Sequence, residues 1–381
     1  MFFNVGHIPL ENYPCHWQLG SFCVNTDAGW RYKKIGSAEI VYKGYADDDI
    51  LDNLLEQIVD QTQPKLTGNF CALVYKENKI KIQTDVYRSF PIYINHGVNN
   101  LIPQSRTAWS DSLITVNEDL TVEEVKFDVI GTIETATVSF DHAVDAITDI
   151  LDRKTQQLLK KQLPIRAYLS GGVDTMLVYS FLKKHTSNYE LIKYQHVDYD
   201  HFWLKNSHDI KKFWAYTQIH HWTDPCMLTS GTPGDEFMLR SPVTVDLFLK
   251  HHNIRTTDLL ADPKWSCSLH YEYFCKQKHL DIFESQQAPV QSLAQMHWSL
   301  CNIVVNDWQH WHLGNTLTWT PLRDLEIFKL MLRLPLDHVI EQALDSRFSI
   351  HLIERNCPEL VAGLSRFKNT GNMLSNLVNV F

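Results

Sequence analysis

At residue 165 the stretch "IRAYL" runs directly into "SGGVDT" and then into "MLVYSFLKKH". A strand that turns into a helix through two adjacent glycines restricts this chain more than any other feature, because such a junction belongs to a parallel sheet with crossover helices. The order continues in the same sense with strand "LIKYQHV", helix "SHDIKKFWAYTQ", short strand "CMLTS" and turn "GTPGDE". In sheets of this kind ligands bind beyond the carboxyl ends of the strands, which is where both glycine-containing turns fall.

The helix before this unit, within "SFDHAVDAITDILDRKTQQLLKKQ", brings Val144, Ile147, Leu151 and Leu158 near one face, with Ser139 or Asp141 as its N-cap. Upstream the texture differs. The runs "SAEIVYKGY", "FCALVY", "KIKIQTDVY" and "PIYIN" are rich in β-branched and aromatic residues, and "KENK" and "HGVNN" punctuate them. These predict antiparallel strands, with one helix in "DDDILDNLLEQIVDQTQ". At 381 residues the chain is long enough for two cores. The expected division is residues 1–120 and 130–381. Residues from about 240 onward read as helical, with "DLEIFKLMLRLP" the clearest amphipathic segment.

A net charge of −9 offers no broad cationic face, so nucleic acid is not indicated as a partner. No basic leader or long apolar window is present, which predicts a cytoplasmic chain without a membrane span. The eight cysteines show no Cys-x-x-Cys pair, and the histidine pairs His220-His221 and His310 with His312 lack the spacing and carboxylate of a zinc site.

The turn Ser170, Gly171, Gly172 presents successive backbone N–H groups at the positive end of a helix that begins near Asp174, an anion nest. Glycines admit positive φ and let a phosphate approach the backbone. There is no Gly-Lys-Ser/Thr and no Gly-x-Gly-x-x-Gly, so neither the lysine-bearing nucleotide loop nor a dinucleotide fingerprint applies.

"LSGGVDT" resembles the pyrophosphate-binding (PP) loop of ATP pyrophosphatases, and its surroundings are similar to the asparagine synthetase and β-lactam synthetase family. "SGTPGDEF" occupies the place of that family's second acidic signature, keeping Asp235 and Glu236 but showing Thr232 and Pro233 where the family has an acid and a glycine. "TPLRDLEIFKLMLRLP", closing at Pro335, resembles its Pro-Phe-Leu-Asp segment and following helix, and "SRFKNTG" its lysine-bearing segment. "GNFCALVY" and "DVYRSFPIYI" resemble two strands of its glutaminase-like first domain, with Asp85, Pro91 and Tyr93 supplying the acid, proline and tyrosine.

The resemblance implies an Ntn-hydrolase-like antiparallel αββα sandwich followed by a parallel-sheet PP-loop domain with a helical C-terminal part. It implies an ATP-dependent ligase that activates a carboxylate as an acyl-adenylate for attack by an amine. Leu169, Ser170, Gly171, Gly172, Asp174, Thr175, Ser230 and Gly231 would contact ATP, Asp174 and Asp235 would hold Mg²⁺, and Lys368 would carry charge in catalysis. Both aspartates equally stand where a helix-capping acid is welcome, and Lys368 also suits a solvated surface. Asp324 and Arg323 read mainly as structural. The partners implied are a small-molecule or peptide carboxylate and an amine donor, with a homodimer as an option.

Two departures bear on activity. Glutamine-using members expose a cysteine as the first mature residue, whereas this chain begins Met1-Phe2-Phe3, so the first domain is expected to be an inactive glutaminase. Leu317 stands where the family places a carboxylate. A non-catalytic nucleotide-sensing or partner-binding member is the competing expectation. The substrate pocket is expected within residues 241–311, where "HYEYF", "QMHWSL" and "DWQHWHLG" suit packed core or a stacked planar ligand.

Overall fold

The computed structural model describes residues 3–11, 13–63, 65–87, 92–94, 106–107, 112–127, 136–169, 172–193, 225–231, 234–240, 316–361 and 364. It is a mixed α/β structure in which antiparallel sheets precede a parallel sheet flanked by helices.

In the N-terminal part, β1 (Phe3–Gly6), β2 (Cys15–Leu19) and β3 (Phe22–Thr26) form an antiparallel sheet in the order β1-β3-β2. A six-stranded antiparallel sheet contains β4 (Arg31–Ile35), β5 (Ala38–Ala46), β6 (Gly68–Lys76), β7 (Lys79–Thr84), β10 (Ser112–Val116) and β11 (Val122–Lys126), ordered β11-β10-β7-β6-β5-β4. β8 (Tyr93–Ile94) and β9 (Arg106–Thr107) form a separate pair. The "KENK" turn is a two-residue hairpin: Lys76 pairs with Lys79, and both Glu77 and Asn78 have positive φ, as the strand twist requires.

Successive side chains on a strand point to opposite faces, and here both faces are covered. Val41, Leu73 and Ile82 pack with Phe22 and Val24 of the three-stranded sheet. Their neighbours Ile40, Tyr42, Ala72 and Val74 pack with Leu55 and Ile58 of helix α1 (Leu55–Asp60). The described layers therefore run helix, six-stranded sheet, three-stranded sheet. Burial on both faces explains why these strands read as near-continuous apolar runs.

Helix α2 (Phe140–Lys160) opens the C-terminal part, capped by Ser139, whose Oγ accepts from the His142 N–H at 3.2 Å. Val144, Ile147, Leu151 and Leu158 are all buried, as their spacing predicts. The parallel sheet contains β12 (Ile165–Leu169), β13 (Glu190–Lys193), β14 (Cys226–Thr229) and β15 (Thr316–Trp319) in the order β13-β12-β14-β15. Helix α3 (Val173–His185) is the crossover from β12 to β13, and the short α4 (Gly234–Phe237) follows β14. The helix expected at 207–218 lies outside the described residues, as do the aromatic segments between 241 and 311.

After β15 come α5 (Leu325–Leu332), α6 (Leu336–Asp345) and α7 (Arg347–Asn356). The Asp324 carboxylate caps α5, accepting from the Glu326 and Ile327 N–H groups at 2.8 and 3.2 Å. Among the described residues, no helix is long and apolar enough to cross a membrane.

The two parts share one core, in which Tyr45, Val86 and Tyr87 pack with Val144, Ile147 and Phe328. Polar contacts fix their register. Asn69 Nδ2 and Tyr45 Oη both donate to the Thr318 carbonyl, at 2.9 and 3.2 Å, and buried Arg323 donates to the Tyr87 carbonyl. The end of the antiparallel sheet thus holds β15, a strand of the parallel sheet.

Candidate functional site

The chain leaves β12 through α3 to β13 on one side, then returns across β12 to lay down β14 on the other. That reversal makes the gap between the carboxyl ends of β12 and β14 a topological switch point, where doubly wound sheets bind ligands. Both glycine-containing turns leave the sheet there.

Leu169 is the last residue of β12, and Gly172 is the N-cap of α3 with extended backbone (φ −73°, ψ 155°). Asp174 and Thr175 lie in the first turn of α3, and Asp174 is the only acid in that turn. Ser170 and Gly171 lie outside the described residues. On the neighbouring strand, Ser230 donates its N–H to the Trp319 carbonyl at 2.9 Å, so the second turn is pinned to β15 as well as to β14.

The glycines of the second turn have a specific steric reason. A Cβ on Gly231 would lie 2.4 Å from the Thr175 nitrogen and 2.5 Å from the Asp174 carbonyl carbon. A Cβ on Gly234 would lie 2.5 Å from the Asp174 Cγ. At Gly231 the obstacle is backbone, which cannot yield; at Gly234 the Asp174 and Leu322 side chains would have to shift. The second turn, far away in sequence, is therefore packed directly on the first turn of α3, and the contact is centred on Asp174.

Asp235 follows Gly234 in α4, so its backbone is one residue from the Asp174 carboxylate; its side chain, like Thr232 and Pro233, lies outside the described residues. Lys368 lies outside them too. Leu317 is on β15, opposite Met227 of β14, and packs partly buried against the main core. At that point the strand contributes apolar packing.

Sequence reasoning missed Arg240. Its guanidinium forms an ion pair with Asp174 Oδ1, and both side chains are mostly covered, 13% and 14% exposed. The residue is delivered by a local device. Leu239 has φ 54°, in the left-handed region that an ordinary L-residue avoids, and it is fully buried with Phe237 and Met238. Gln342 Nε2 donates to the Met238 carbonyl at 3.0 Å. The bend after α4 is thus held by burial and directs Arg240 back to the first turn of α3. An arginine just past the "GDE" turn was the one available signal.

A divalent cation needs few protein ligands: magnesium takes one or two carboxylates and fills its octahedron with phosphate oxygens and water. Among the described residues no three His, Cys, Asp or Glu side chains come together as a metal cluster. The close approach at Gly234 sets the start of α4 against the Asp174 side chain, so Asp174 is the described carboxylate at this point that could serve a divalent cation. Arg240 is the feature such a site must accommodate.

A second charged centre joins the two parts of the molecule. Lys154 of α2 places its ammonium 3.2 Å from Asp47 and 3.0 Å from Asp324. Burial alone would lower the affinity of this amine for its proton; the two carboxylates and Tyr87 reverse the effect and hold it well above the ordinary lysine value. Asp47, Lys154, Tyr87 and Asp324 line a cavity of about 610 Å³. This cavity does not include Asp174.

No protein-family model matches the chain, and no curated protein matches it.

Proposed function

We propose that the chain is an ATP-dependent carbon–nitrogen ligase of the asparagine synthetase and β-lactam synthetase type, with an Ntn-hydrolase-like first domain and a PP-loop second domain divided near residues 120–130. The observation that carries this reading is the close packing of Gly231 and Gly234 on the first turn of α3, at Asp174, at the switch point between β12 and β14. The α–β–β layering of the N-terminal part agrees with three of the four layers of an αββα sandwich.

In this reading the first turn of α3 receives the phosphates of ATP, with the helix N-terminus favouring negative charge. A substrate carboxylate attacks the α-phosphorus, pyrophosphate leaves, and an amine displaces AMP from the acyl-adenylate. Bringing two anions together requires fixed positive charge and an in-line geometry. Asp174 and Asp235 would hold magnesium, which neutralises phosphate charge when bound. Leu169, Gly172, Thr175, Ser230 and Gly231 would contact the nucleotide, and Ser170 and Gly171 are assigned the same role. Lys368 is assigned charge stabilisation on the leaving or tetrahedral group.

Glutamine hydrolysis is not part of the proposal. Among the described residues of the first domain, Cys23 and Cys71 are buried, and burial pushes the Cys23 thiol up, away from the reactive thiolate.

The test is formation of labelled AMP from α-labelled ATP, with release of pyrophosphate, by purified protein given a panel of carboxylates and amines. Asp174→Ala is expected to abolish release while far-UV circular dichroism stays native. Formation of glutamate from labelled glutamine would contradict the inactive-glutaminase assignment. A second reading, a nucleotide-binding module without turnover, is favoured by the Arg240–Asp174 ion pair, which neutralises the carboxylate a catalytic metal would need. Binding of ATP without pyrophosphate release under any substrate pair would select it.

A further inference from the structure

We propose that Arg240 is an exchangeable counter-ion at this site: it holds Asp174 in the ligand-free protein and passes to a phosphate of the bound nucleotide, which releases Asp174 to a divalent cation. This inference rests on the nucleotide reading above.

Three observations carry it. The first is access. Arg240 and Asp174 retain 13% and 14% exposure, whereas the buried pair Lys43 and Asp27 of the first domain retains 2% and 1%. An arginine that leaves Asp174 need not cross a dry core. The second is anchoring. Phe237, Met238 and Leu239 are buried, and Gln342 holds the Met238 carbonyl, so the backbone that carries Arg240 is fixed and the exchange involves its side chain alone. The left-handed Leu239 is a strained conformation retained where it aims a functional group.

The third is chemical competition. A guanidinium binds carboxylate and phosphate with the same planar fork, so both are alternative partners within its reach. A monovalent and a divalent cation on one carboxylate repel each other strongly at contact distances. Metal alone must therefore displace Arg240 without compensation, while a phosphate gives the arginine somewhere to go. The consequence is that nucleotide and metal binding assist one another, each by the same factor.

Calorimetry on the full chain separates the two halves of the exchange. Magnesium is titrated without nucleotide, and a non-hydrolysable ATP analogue is titrated in EDTA. Arg240→Gln is expected to bind magnesium alone about tenfold more tightly than wild type, because a competing charge is gone. The same variant is expected to bind the metal-free analogue about tenfold more weakly, because a charge-assisted contact to phosphate is lost. Arg240→Lys, which keeps the charge, should stay near wild type for magnesium. Asp174→Asn should lose magnesium binding and retain the analogue.

Changes within about twofold in both titrations, or in the opposite directions, overturn the exchange and leave the nucleotide reading standing. Failure of wild type to bind the analogue with or without magnesium overturns both. Should Arg240→Gln lose its native circular dichroism spectrum, Arg240→Met, which also removes the charge, is titrated in its place and judged by the same criteria.

Discussion

Lys154 and Asp174 are both charged groups covered by protein, yet their surroundings differ in kind. Lys154 is gripped by Asp47 from the first part of the chain and by Asp324 from the loop before α5. Asp324 is itself committed to capping α5, and the Tyr87 ring lies 5.9 Å from the ammonium. Such a centre has one arrangement. Asp174 instead stands at the mouth of the sheet, squeezed by two glycines and facing an arginine on a bend. The contrast separates a charge that builds the molecule, gripped by carboxylates from two distant parts of the chain, from a charge placed where its cation can be exchanged. A buried pair loses most when one member is removed, because the remaining charge has no water to turn to.

Substitution tests that contrast directly. Lys154→Met should cost the most, about 3–5 kcal/mol in urea unfolding, since Asp47 and Asp324 would be left buried and uncompensated. A loss below about 1 kcal/mol would reduce the centre to the worth of a surface pair and erase the comparison. Next comes Gly231→Ala, where the new methyl meets the backbone of Asp174 and Thr175 and no flexible side chain can yield. We expect about 1–3 kcal/mol from this overpacking, with a matching loss of response to ATP in a thermal-shift assay.

At Asp174 the expected stability cost is small. Asp174→Asn should lower stability by about 1 kcal/mol, because the amide still offers Arg240 an oxygen to accept its N–H, although it should remove magnesium binding. A cost as large as that at Lys154 would show that Asp174 is structural after all.

The smallest effect is in the pH dependence. Burial pushes the Asp152 carboxyl up, and hydrogen bonds from Lys184 and His185 more than offset this, leaving it below its ordinary value. Its contribution is therefore fully present above about pH 4 and disappears as pH falls through the lower folded value. Lys154 has the opposite sign: its raised value keeps its contribution intact below about pH 10 and loses it only on more alkaline titration. Asp152→Asn should flatten the acid limb of the stability curve slightly and leave the alkaline limb unchanged.

Much of the local structure was legible in the residues. Runs rich in β-branched and aromatic residues marked β5, β6 and β7, the period of Val144, Ile147, Leu151 and Leu158 marked α2, and Ser139 is its cap. The junction of β12 and α3 was equally plain. In the second turn the sequence singled out Thr232 and Pro233 as departures, while the structure shows that Gly231 and Gly234 are the residues packed against Asp174.

Propensity, capping and periodicity act over a few neighbouring residues, so the chain alone indicated several of the strands, helices and turns, though not their bounds: the helix expected across residues 47–63 is α1, Leu55–Asp60. Which charges meet was decided only by the tertiary structure. Arg240 and Asp174 are 66 residues apart, and Lys154 and Asp47 are 107 apart. Their pairing depends on the order in which strands enter the sheet and on how much water is excluded around them, and no local pattern encodes either.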